Sequence, residues 1–165
     1  MKSQQILPIV KEWQERPLEE VYAVVFMDAI HYHVRSEGRI VKRAVYIALG
    51  IDMNGKKDVL GMYVGENESA KFWHDNWATL STYFKYPEAV RRLIYTTNAI
   101  EGFNRQLRKV TKSKTVFPSD DSLLKMLYLA TMDITKKWTG HRQDWGQIHS
   151  QLEIYFGERL IGRSL

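Results

Sequence analysis

The chain has no cysteine, and that absence removes a whole tier of chemistry. Disulfides, zinc-thiolate centres and thiol nucleophiles are excluded, and a reducing cytoplasm is the natural setting. Long apolar runs are missing too. The longest, Val21–Met27 and Ala44–Ile51, fall far short of the ~20 residues that cross a bilayer. The opening Met-Lys-Ser-Gln-Gln lacks the apolar centre of a signal peptide. A soluble, cytoplasmic protein with no membrane partner is the expectation. No Gly-x-Ser-x-Gly, Walker loop, dinucleotide fingerprint or His-Glu-x-x-His occurs, so those enzyme classes have no support. There is no internal repeat, low-complexity tract or flexible linker.

Acidic residues are in shorter supply than basic ones. The net charge is +5 and the pI about 9.3, which favours an anionic partner, nucleic acid first. The excess is concentrated. From Phe84 to Thr115 eight Lys/Arg face two acids, Glu88 and Glu101, a net of +6 within one window. A solvated helix face would give the same count.

With 165 residues, 44% of them hydrophobic, the chain can build one ordinary domain. Ile6 to Glu20 reads as a short helix interrupted by Pro8 and closed by Arg16-Pro17, because a residue before proline avoids helical geometry. Three strands follow: Val21–Val34, Ile40–Ile51 and Lys57–Val64. Ser36-Glu37-Gly38 turns the first pair, and Asn54-Gly55 predicts a type I′ hairpin for the second. The expected class is α+β, a three-stranded antiparallel meander followed by about four helices. Ser69–Tyr83 is the first of these, broken at Tyr86-Pro87. The next starts at Asn98, with Ile100, Phe103, Leu107 and Val110 on one stripe. Phe117-Pro118-Ser119 opens another with Ser119 as N-cap, burying Leu123, Leu124, Leu127, Ile134 and Trp138. Trp145, Ile148, Leu152, Phe156 and Leu160 mark the last.

Chemistry is most legible from Asn98 to Lys112. Glu101 lies in the first helical turn, and Arg105, Arg108, Lys109 and Lys112 follow it. A carboxylate can hold a divalent cation and the cations can hold phosphates, a pairing suited to metal-dependent chemistry on a polyanion. Glu101 has a second reading, because Asn98-x-x-Glu101 has the spacing of a capping box. Asp28 ends the apolar run Val-Tyr-Ala-Val-Val-Phe-Met, where a carboxylate is costly unless paired or metal-bound. A strand-ending turn cap is its structural alternative. His31-x-His33 puts two imidazoles on the strand face opposite Asp28, a pattern closer to a solvated face than to a metal site.

Several blocks together resemble the mutator-type insertion-sequence transposases of bacteria, within the DDE superfamily. They are Arg16-Pro17-Leu18-Glu19 with Val25-Phe26-Met27-Asp28-Ala29-Ile30, Ala48-Leu49-Gly50-Ile51, Val59-Leu60-Gly61, and Gly65-Glu66-Asn67-Glu68-Ser69-Ala70. Further on come Tyr95-Thr96-Thr97-Asn98-Ala99-Ile100-Glu101 with Asn104, then Phe117-Pro118-Ser119, Trp138 and Trp145. The resemblance implies an RNase H-like core and two Asp plus one Glu holding Mg²⁺ or Mn²⁺. Asp28 corresponds to the first acid and Glu101 to the third. The implied reaction is DNA strand cleavage and transfer at the element's inverted repeats and target DNA, at the bacterial nucleoid. Phosphate contact by Arg105, Arg108, Lys109 and Lys112 is an inference from their charge and not a property of the family.

The departures are equally specific. The family pattern carries a second Asp, a Cys-x-x-His element and a helical insertion between its first and third acids. Here only 73 residues separate Asp28 from Glu101, and none of those elements is present. Glu68-Ser69-Ala70-Lys71-Phe72-Trp73 runs straight into His74-Asp75-Asn76-Trp77, which implies an internal deletion at residues 73–74. The family's N-terminal DNA-binding region is also missing, since the match starts near residue 6. Asp52, Asp58 and Asp75 are poorly placed to replace the lost acid. The expectation is a truncated single domain, residues 1–165, with impaired catalysis. The alternative is a non-enzymatic DNA- or protein-binding fragment that modulates a full-length transposase, through homo-oligomers or mixed oligomers.

Overall fold

The computed structural model describes residues 6–66 and 98–160. They form a three-stranded antiparallel sheet and four helices, an α+β arrangement. The elements are α1 (Ile6–Glu15), β1 (Tyr22–Ser36), β2 (Arg39–Asp52), β3 (Lys57–Gly65), α2 (Asn98–Thr111), α3 (Asp120–Thr135) and α4 (Trp145–Leu160). The helix expected over Ser69–Tyr83 and the Tyr86-Pro87 break lie outside the described residues. None of the described helices is long and apolar enough to cross a membrane.

One detail of the chain's start differs from expectation. Pro8 does not interrupt α1. It lies in the first turn, where a missing N–H breaks no hydrogen bond. The helix stops at Glu15, where the Arg16-Pro17 stop places its end, because Arg16 precedes proline. The Arg16 guanidinium then ties the end of α1 to β3. It donates to the Trp13 and Val59 carbonyls and pairs with Asp58 at 3.2 Å. Gln14 Nε2 donates to the Met62 carbonyl at 2.6 Å, so α1 side chains satisfy backbone acceptors on β3.

The type I′ turn expected at Asn54-Gly55 is found instead in the first hairpin. Glu37 and Gly38 both have positive φ, 49° and 75°, which is the type I′ pattern of a two-residue loop. At Asn54-Gly55 only Gly55 is positive, at 78°. Gly55 N–H donates to the Asp52 carbonyl and Asp52 N–H to the Lys56 carbonyl, a type I turn followed by a left-handed glycine. The reason is Asp52: its Oδ1 accepts from the Asn54 and Lys56 amides and holds a longer loop open. Gly55 is required twice over, since a Cβ there would lie 2.6 Å from the Trp145 ring. Trp145 Nε1 in turn donates to the Met53 carbonyl, pinning the start of α4 to this hairpin.

One face of the sheet carries the core. Phe26, Ile30 and Val34 of β1 meet Leu49, Val45 and Val41 of β2 by register, and Met62 and Val59 of β3 continue the layer. Ile100, Phe103 and Leu107 of α2, Leu123, Leu127 and Ile134 of α3, and Ile148 and Leu152 of α4 close over it. Each such buried side chain contributes about 1.5–3 kcal/mol by leaving water. Ser119 caps α3 by accepting from the Ser122 amide, as expected. The α2 stripe needs one correction: Val110 is exposed, and Asn104 and Thr111 are buried. At 3.6 residues per turn Ile100 and Leu107 are followed on the same side by Asn104 and Thr111, while Val110 lies at the edge of the stripe marked by Phe103.

Candidate carboxylate site and basic helix face

Strand parity decides where Asp28 goes. Phe26 and Ile30 flank it at two-residue spacing, so its side chain leaves the sheet on the face that α2 covers. It is nonetheless exposed, at the rim of that face. Asn104 of α2 reaches it: Nδ2 donates to Asp28 Oδ2 at 2.6 Å. The other carboxylate oxygen, Oδ1, accepts from the Ala29 amide at 2.8 Å. The turn-cap alternative for Asp28 therefore fails, because β1 continues through it to Ser36.

A second polar contact fixes how α2 lies on β1. Thr111 Oγ1 donates to the Tyr32 hydroxyl at 3.3 Å. Asp28 to Tyr32 advances about 13 Å along a strand, and Asn104 to Thr111 about 10 Å along a helix. Both run in the same sense, so α2 lies along β1 with Leu107 and Ile30 packed between the two contacts. Burial pushes the Tyr32 phenol pKa up, partly offset by the Thr111 hydrogen bond and the Arg108 charge.

The other sequence-expected residues lie on α2 or just beyond its end. Glu101 is exposed and lies three residues before Asn104, one turn earlier on the same side of α2. Structure thus brings Asp28 and Glu101 onto facing elements, with Asn104 touching the first and neighbouring the second. Asn98 is the first residue of α2, so the position before it, where a cap would sit, is outside the described residues. Arg105, Arg108 and Lys109 are exposed along α2, and Lys112 is exposed just beyond its end. At 100° per residue, Glu101, Arg105, Arg108 and Lys112 occupy an arc of about 60° beside the edge marked by Asn104. The acid and three of the cations form one flank, with Lys109 further round.

The other candidates resolve into structural or solvated roles. Asp52 holds the β2–β3 turn, and Asp58 pairs with Arg16 and accepts from the Tyr22 hydroxyl at 3.2 Å. His31 and His33 point to the face of the sheet opposite Asp28 and are exposed. Asp75 lies outside the described residues. The residue whose role sequence reasoning missed is Asn104. It was visible only as part of a family block, although an amide in an apolar stripe three residues after an acid is a readable signal.

Mg²⁺ and Mn²⁺ prefer carboxylate and carbonyl oxygens. Asp28 and Glu101 carry oxygens of that kind. The set suits one divalent cation. Among the described residues no group of three or more His, Cys, Asp or Glu comes together that could hold a metal ion.

Comparison with known proteins identifies the family. The profile described as Transposase, Mutator family, matches residues 2–81 and 74–141, most of the chain. The chain belongs to the Mutator family of transposases. A probable transposase for an ISRM3-like insertion sequence element of Sinorhizobium fredii is 26% identical over 258 residues, covering 95% of this chain and 64% of the relative. The transposase for IS406 of Burkholderia multivorans is 47% identical over 64 residues, 39% of this chain and 16% of the relative. The transposase for IS256 in Tn4001 of Staphylococcus aureus is 32% identical over 85 residues, 51% of this chain and 20% of the relative. The chain therefore spans less than two thirds of the length of these relatives.

Proposed function

We propose that this chain is a transposase remnant that keeps part of a catalytic carboxylate site and a phosphate-binding face, and that its strand-transfer chemistry is impaired. The Asp28–Asn104 hydrogen bond carries the reading, because it brings a strand acid to the helix that bears Glu101 and the basic flank. A three-stranded antiparallel sheet with an acid on its first strand supports an RNase H-like core. Asp28 and Glu101 would hold Mg²⁺ or Mn²⁺ between them. When bound, such a cation supplies Lewis-acid stabilisation of the charge that develops on a phosphodiester. Arg105, Arg108, Lys109 and Lys112 bind the phosphates of DNA, placing the backbone beside the acids. The DNA partners are the element's inverted repeats and the target, met in the cytoplasm at the nucleoid.

The proposed impairment follows from the lost second Asp. The junction at residues 73–74 lies outside the described residues, but two facts support a deletion. The two segments that match the family meet and overlap at residues 74–81. The alignment to the Sinorhizobium fredii relative runs to 258 positions, 93 more than the 165 residues of this chain, so a long stretch of that relative has no counterpart here.

The test is Mn²⁺-dependent nicking of labelled DNA carrying the element's own ends, with Asp28→Asn and Glu101→Gln as controls. The expected result is no nicking above background, with DNA binding retained and sensitive to salt. Cleavage that disappears in both variants would mean that the two acids still form a working centre. The basic flank also favours a second reading, a non-enzymatic DNA- or protein-binding fragment that joins mixed oligomers with a full-length transposase. Co-purification with such a transposase, and slower transposition in its presence, would support it.

A further inference from the structure

Asn104 occupies a place that α2 reserves for an apolar residue. It follows Ile100 by four and precedes Leu107 by three, in the stripe that packs onto β1, and it is only 4% exposed. An amide there is unfavourable unless its polar atoms find partners. Its amide nitrogen has one, the Asp28 carboxylate, while its carbonyl oxygen is buried with none. The side chain cannot be turned round to help, because a carboxylate only accepts hydrogen bonds and Nδ2 must face it. A residue present for packing alone would be leucine or methionine. Asn104 leaves a polar atom unsatisfied in order to reach one particular carboxylate.

The effect falls on Asp28. With Oδ2 held by Asn104 and Oδ1 by the Ala29 amide, the carboxylate is fixed about both oxygens. Each of these partners is neutral, so neither brings a positive charge to the carboxylate, and its exposed rim position leaves lone pairs open to solvent. Glu101 projects from the same helix one turn away. We propose that Asn104 is a positioning residue, whose amide locks the Asp28 carboxylate against α2 so that Asp28 and Glu101 present oxygens to the same divalent cation. This rests on the reading of Asp28 and Glu101 as cation ligands given above. Groups that orient a ligating carboxylate in this way change metal affinity by about 10–100-fold when removed.

The experiment is direct Mn²⁺ binding to the full chain, followed by the electron paramagnetic resonance signal of free Mn²⁺, with thermal melting alongside. Wild type should bind, Asp28→Asn should not, and Asn104→Leu, of similar volume but with no donor, should bind about 10-fold more weakly. Asn104→His, which returns an N–H donor near the same place, should recover part of the loss. A packing role would lower the melting temperature of Asn104→Leu and leave the Mn²⁺ affinity of the folded protein unchanged. That result, with binding abolished in Asp28→Asn, overturns the inference and spares the ligand reading. Failure of the wild type to bind, or binding untouched by Asp28→Asn, overturns the ligand reading instead. Should Asn104→Leu fail to fold, the wild-type side-chain amide resonance of Asn104 decides. Stoichiometric Mn²⁺ should broaden it early, and an unaffected Asn104 signal in a Mn²⁺-bound protein overturns the inference.

Discussion

Asp28 and Asp58 are both held by side chains from a neighbouring element, and the kind of partner separates them. Asp58 faces the Arg16 guanidinium at 3.2 Å, with the Tyr22 hydroxyl also donating. The cation neutralises it, and that end of the sheet is a clamp between α1 and β3. Asp28 is held by two neutral amides, from Asn104 and from Ala29. Neutral donors orient a carboxylate without cancelling its charge, so the Asp28 end can still attract a cation. Near Asp58, Arg16 stacks on Trp13 and Lys57 on Trp138, and burial pushes the Lys57 pKa down. Near Asp28 the cations are exposed and line one flank of α2. The lesson is that a carboxylate's availability is set by whether its partners carry charge, more than by how many partners it has.

The largest test of this division is at the clamp end. Gly55→Ala forces a side chain into a left-handed backbone and into the Trp145 ring, and should destabilise the fold by about 2–4 kcal/mol. The loss would be read as a lower midpoint in urea, while the fraction still folded keeps its Mn²⁺ affinity. A matching loss of Mn²⁺ affinity in the folded fraction would mean that the two ends are coupled.

A smaller effect belongs to the basic flank. Arg105→Ala and Arg108→Ala should each reduce the slope of log affinity against log salt by about 0.9, one phosphate contact apiece, with melting unchanged. An unchanged slope in both would remove α2 from the DNA interface. The smallest effect is expected of Asp58→Asn. The Asp58 side chain is 45% exposed, so breaking its pair with Arg16 should destabilise by only about 0.5–1 kcal/mol. Mn²⁺ binding should not move. If it does, the distinction between cation-paired and amide-held carboxylates is wrong.

Much of the fold was legible because its signals are local. Alternation marked three strands, Pro17 marked the end of α1, and Ser119 marked the start of α3. The errors have local causes with longer reach. Asn54-Gly55 suggested a type I′ turn, but the Asp52 side chain two residues earlier accepts two loop amides and enlarges the loop. Val110 fitted an approximate helical stripe, but only the facing strand shows that the stripe runs through Asn104 and Thr111. For the candidate site, the identities of Asp28 and Glu101 could be read from motif blocks, yet the contact between Asp28 and Asn104 of α2 could not.

The sequence by itself determined the family, the three-strand meander and the acids worth attention, because each is a property of residue order or short-range periodicity. Tertiary structure alone decided that Asp28 leaves the sheet toward α2, that Asn104 and Thr111 set the helix along β1, and that Asp58 is spent on Arg16. Those outcomes depend on which elements face one another. Contacts between positions 76 residues apart, as between Asp28 and Asn104, are fixed by packing and by the need to satisfy polar groups at the interface, and carry no local signal in the chain.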